Sequence, residues 1–66
     1  MSDLIIEAEE TFGKASRRLS YYLATLRENN PGGLTELNKR QREIIGEMLR
    51  NRYRAERRLS ELKEGQ

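Results

Sequence analysis

Asn29-Asn30-Pro31-Gly32-Gly33 is the only cluster of turn-forming residues in the 66-residue chain, and it divides the chain into two nearly equal segments that contain no proline. Asn30 precedes the single proline, whose Cδ disfavours helical geometry at the residue before it, so a helix in the first segment must stop by about Asn29. Gly32 and Gly33 supply the left-handed conformations that a reversing connection needs. Thr35 then offers a hydroxyl cap, Glu36 favours the positive end of a helix dipole, and no further breaker occurs before Gly65. The expectation is one all-α helical hairpin over residues 1–66, with two long antiparallel helices: helix one over about 3–29, a turn at 30–34 and helix two over about 35–64.

Apolar spacing supports this reading. In the first segment Ile5, Ala8, Phe12, Ala15, Leu19, Tyr22 and Leu26 recur at intervals of three and four, which is the seam of a helix that packs against another. In the second, Leu34, Leu37, Gln41, Ile45, Met48, Arg52, Ala55, Leu59 and Leu62 keep the same rhythm with two polar members. A fold at Pro31 makes neighbours of residues whose numbers sum to roughly 63, because both helices rise equally per residue. Ala8 then meets Ala55, Leu26 meets Leu37, and Leu19 falls opposite Ile44 and Ile45. Arg52 on a seam requires a partner, either a carboxylate such as Glu56 or a polar group in a dimer, and together with Gln41 it reads as a device that sets register. Gly13 and Gly46 interrupt good helices beside the seam, where close helix packing is the expected reason.

Two helices cannot enclose everything apolar here. Leu4, Leu23, Ile44, Leu49 and Tyr53 flank the seams and widen each stripe beyond a two-helix contact. A chain this short buries little surface alone, and with no cysteine and no histidine it has neither a disulfide staple nor the usual metal ligands. The expected remedy is a homodimer that forms a four-helix bundle, with the alanines at 8, 15 and 55 allowing close approach.

In this plan, with alanines alternating with larger residues through Ala8, Phe12, Ala15 and Leu19, the chain resembles the Rop family of plasmid-encoded helical hairpins. That resemblance implies a dimeric four-helix bundle and binding of paired RNA loops. In size and plan the chain is also similar to small phage-encoded hairpin proteins that inactivate host regulators, including anti-activators of quorum-sensing receptors. That second resemblance implies a protein partner in the host cytoplasm.

The residues favour the second implication. Arg50, Arg54, Arg57 and Arg58 fall within an arc of roughly 100° opposite the seam, with Tyr53 beside them. The same outer stripe carries Glu36, Glu43, Glu47 and Glu61, which a phosphate-tracking surface would exclude. The formal charge of +2 is close to balance for a polyanion binder. The simplest reading of such a stripe is a solvated face laced with ion pairs. If the arginines have a partner, mixed signs with tyrosine suit a protein. Arg50, Tyr53, Arg54, Arg57 and Arg58, with exposed Tyr21 on helix one, are therefore the candidate partner-binding residues. The core and dimer set is Ile5, Ala8, Phe12, Ala15, Leu19, Tyr22, Leu26, Leu37, Ile45, Met48, Arg52, Ala55 and Leu59. A nucleic-acid-binding hairpin and an assembly component are the alternatives.

Chemical motifs do not accumulate. Ser60-Glu61-Leu62-Lys63 matches a nucleophile pattern of penicillin-recognising enzymes but lacks any accompanying motif. Leu37 to Ile45 is similar to the first helix of winged-helix repressors, but no turn and recognition helix follow it. Glu9 and Glu10 point about 100° apart on a helix and form no carboxylate pair. The expectation is a non-enzymatic chain without cofactor, metal or small-molecule ligand. The longest apolar runs are far below the ~18 residues of a membrane span, and a cytoplasmic location is expected.

Overall fold

The computed structural model describes residues 3–65; Met1, Ser2 and Gln66, which the single-unit reading includes, lie outside them. Helix α1 spans Asp3–Asn29, a short 3-10 turn covers Gly33–Thr35, and helix α2 spans Lys39–Glu64. The two helices pack against each other as a hairpin with extents of 47 × 17 × 13 Å. Asp3 in the first turn of α1 and Arg27 in its last turn oppose the partial charges of the helix ends. The chain leaves α1 through an Asn30 N–H to Leu26 carbonyl bond of 3.0 Å and reverses through a Gly33 N–H to Asn30 carbonyl bond of 2.9 Å.

The connection is longer than the sequence suggests, and α2 begins at Lys39 rather than near 35. Thr35 does not cap it. Its hydroxyl donates back to the Gly32 carbonyl at 2.6 Å and closes the 3-10 turn. The cap is Asn38: its side-chain oxygen accepts from the Gln41 N–H at 2.8 Å, while the Asn38 N–H donates to Gln41 Oε1 at 3.0 Å. This reciprocal capping box satisfies two otherwise orphaned donors and contributes on the order of 1 kcal/mol. The Oε1 of half-buried Gln41 is thus engaged at the helix start.

Only one glycine of the turn is left-handed. Gly33 has φ +60, whereas Gly32 has φ −91. A Cβ added at Gly32 would meet only the flexible side chain of Glu36, which can swing away; at Gly33 the space is open but the backbone is unfavourable. Gly33→Ala is therefore expected to cost roughly 1–2 kcal/mol in thermal or urea unfolding, and Gly32→Ala less than about half of that. Equal costs would contradict this turn geometry. Gly13 and Gly46 also differ from expectation, because a Cβ on either would meet only the guanidinium of Arg17 or Arg50 on its own helix. Helix contact within the hairpin does not require them.

The core is a thin line. Ile5, Ala8, Leu19, Leu26 and Ala55 are buried, and among the described residues no large side chain is fully enclosed. Phe12, Ala15, Tyr22, Leu37, Ile45, Met48, Arg52 and Leu59 are half-buried, so the whole seam faces inward but is covered on one side only. The expected register holds, since Ala8 and Ala55 line one cleft, and Ala15 and Met48 line the next. Of the flanking residues, Leu4 is 53% exposed, Leu49 47% and Tyr53 60%, whereas Leu23 and Ile44 are half-buried.

Candidate protein-binding surface

The arginine stretch falls in the middle and later part of α2, where an uninterrupted helix places residues 49, 50, 53, 54 and 57 on successive turns of one face. Leu49, Arg50, Tyr53, Arg54 and Arg57 together line a shallow, open trough with a mainly apolar surface. Leu49 and Tyr53 are its large apolar side chains, and Arg50, Arg54 and Arg57 contribute methylene stems that end in charge. An apolar surface with cationic ends suits a partner side chain that is apolar and flanked by carboxylates.

The three arginines of the trough differ in freedom. Arg57 donates from Nε to Glu61 Oε1 at 3.2 Å across one helical turn. Hydrogen bonding to Glu61, and secondarily to Tyr53, raises its proton affinity above that of an ordinary arginine. Both partners are exposed, so this pair adds little to stability. Arg57 and Tyr53 both line the trough. Arg50 and Arg54 have no ion-pair partner among the described residues, which leaves them available to carboxylates from outside.

Two of the sequence-level candidates are not part of this trough. Arg58 lines a different cleft, shared with Glu7, Ala8 and Thr11 of α1. Tyr21 is 77% exposed on α1 and is not brought to the trough. Spacing alone places Leu49 only on the flank of the seam. The signal that could have identified it is its position four residues before Tyr53, since two large apolar side chains at that spacing on an otherwise charged face make a patch.

Arg52 belongs to the core edge. Its guanidinium lies over the Phe12 ring, 5.4 Å from the centroid, and its Nε donates to Ser16 Oγ at 3.2 Å. The partner is therefore an aromatic face and a hydroxyl of α1, not the carboxylate of Glu56. Lys63 Nζ and Glu9 Oε1 approach to 4.0 Å across the same pair of helices. Among the described residues no group of three metal-ligating side chains comes together, and no helix is long and apolar enough to cross a membrane. Compared with known proteins, the chain matches no family model, no curated sequence and no solved structure.

Proposed function

We propose that this chain is a small non-enzymatic regulator that acts by occupying a surface of another protein, in the manner of an inhibitor or anti-activator. The observation that carries the reading is the trough of Leu49 and Tyr53 with unpaired Arg50 and Arg54. Large apolar side chains exposed together on a charged helix mark an interaction site, and arginine with tyrosine is the pairing enriched at protein interfaces. The fitting partner segment presents an aliphatic or aromatic residue between carboxylates. Glu43, Glu47 and Glu61 on the same helix repel a continuous phosphate backbone but can be avoided by a folded acidic surface.

The test is capture from lysate, one half nuclease-treated, with the unmodified chain and with Leu49→Ser combined with Arg50→Glu. A protein partner should be retained in both halves, and the double variant should retain at most about a tenth of it, because apolar contact and charge attraction are lost together. Circular dichroism should show unchanged helix content, since both positions are exposed. Direct RNA or DNA binding at physiological salt should stay in the nonspecific range, weaker than about 1 µM. Tight, structure-selective RNA binding that disappears in the double variant would replace this reading with a nucleic-acid one.

A further inference from the structure

One face of the hairpin carries two clefts in line. The first is lined by Leu4, Glu7, Ala8 and Thr11 from α1 with Ala55 and Arg58 from α2. The second is lined by Ala15 and Arg18 from α1 with Ile44, Glu47, Met48 and Asn51 from α2. On α1 the lining residues 4, 8, 11, 15 and 18 alternate spacings of four and three, as do 44, 48, 51, 55 and 58 on α2. Each set is a second helical stripe beside the seam, so the clefts form one continuous groove with an alanine floor. Thr11 donates its hydroxyl to the Glu7 carbonyl at 2.9 Å, so this polar group of the wall is satisfied within its own helix.

The walls carry charges in a specific order. In the first cleft the acid, Glu7, is on α1 and the base, Arg58, on α2; in the second the base, Arg18, is on α1 and the acid, Glu47, on α2. Neither pair closes into an ion pair within the hairpin, because the ion pairs among the described residues are Arg57 with Glu61 and Lys63 with Glu9. This sign pattern becomes complementary to itself when a second copy is turned over onto it.

The area agrees. The chain exposes 5377 Å², whereas a folded monomer of its 7.8 kDa mass exposes about 4,400 Å². The surplus of roughly 1,000 Å² is close to the ~800 Å² that each partner buries in a standard stable interface.

We infer that the alanine-floored groove is where a second copy of this chain docks, with the two turns at the same end and α1 of each copy lying along α2 of the other. A two-fold axis parallel to the helices brings Glu7 to Arg58 of the second copy and Arg18 to Glu47 of the second copy, each twice. Every neighbouring pair of helices in the resulting bundle is antiparallel. The reversed arrangement would set Glu7 on Arg18 of the second copy, but its centre would fall near residues 12 and 52. The Asn29 end of each α1, whose midpoint is near residue 16, would then overhang by about 10 Å at 1.5 Å per residue, although the two α2 helices would still overlap along most of their length. The arrangement with the turns together covers the full groove and leaves both Leu49–Tyr53 troughs outside the interface. The inference does not depend on the regulatory reading, and its failure would leave the trough assignment intact.

The test is a mixing experiment on the purified full chain by sedimentation equilibrium at micromolar concentration. The unmodified chain should sediment at twice 7.8 kDa. Glu7→Arg and Arg58→Glu should each weaken self-association at least about tenfold, because each places like charges opposite one another at two symmetric sites. An equimolar mixture of the two variants should form heterodimers close to the unmodified affinity, since one copy's Arg at 7 then meets the other's Glu at 58. Repair within a single hairpin cannot produce that rescue. Circular dichroism confirms that each variant remains helical; should either fail to fold, Arg18→Glu and Glu47→Arg provide the same mixing test at the second cleft. A helical monomer for the unmodified chain, or a mixture no tighter than its components, would overturn the inference. Rescue of Glu7→Arg by Arg18→Glu instead of by Arg58→Glu would overturn the turns-together arrangement.

Discussion

Leu19→Ala is expected to destabilise the hairpin by about 2–5 kcal/mol, the usual cost of emptying a buried leucine site. Leu19 is 7% exposed near the middle of α1 and is one of five buried residues among those described, so no second layer of core can collapse into the space it leaves. Small domains have little stability in reserve, and each kcal/mol moves the melting temperature of a chain of this size by about 4–8 °C. A fall of 10 °C or more in a circular dichroism melt is therefore the expected result. Tyr21→Ala, two residues further along the helix at a site 77% exposed, should change stability by less than about 0.5 kcal/mol. If the two variants melted alike, the seam would not be where the structure places it.

Arg52→Ala should cost roughly 1–3 kcal/mol even though no carboxylate is lost. The side chain contributes three things: its charge over the Phe12 ring, worth about 0.5–1 kcal/mol at a part-exposed site; the Nε hydrogen bond to Ser16 Oγ, worth about 1 kcal/mol; and methylenes that cover the seam. Arg52→Leu keeps the coverage, removes the need to desolvate a charge, and should equal or exceed the unmodified stability while leaving Ser16 free to bond its own helix. A double-mutant cycle with Phe12→Leu isolates the ring contribution, for which a coupling of about 0.5–1 kcal/mol is expected. Zero coupling would show that Arg52 acts through coverage alone.

How much of this was legible in the sequence follows from the range of the forces involved. The break at Pro31 and the end of α1 at Asn29 rest on a clash between adjacent residues, and the pairing of Ala8 with Ala55 follows from equal helix rise on either side of that break. Such features need no knowledge of the rest of the molecule. Local rules were insufficient where two of them competed. Thr35 and Asn38 are both acceptable caps, and a threonine that folds its hydroxyl back onto Gly32 surrenders the role to the residue whose third neighbour, Gln41, can answer it. Only the three-dimensional path of the turn chooses between them. The same holds for Arg52, whose long side chain can reach either Glu56 on its own helix or Phe12 and Ser16 across the seam; the choice depends on how closely the helices approach. Arg54 and Arg58 are a single turn apart on α2 and cannot be separated by periodicity. They face different surroundings because α1 runs beside one edge of α2 and contributes Leu4, Glu7 and Ala8 to the cleft at Arg58, whereas Arg54 looks out over Tyr53. Helical periodicity specifies the direction in which a residue points, and tertiary packing determines what stands in that direction.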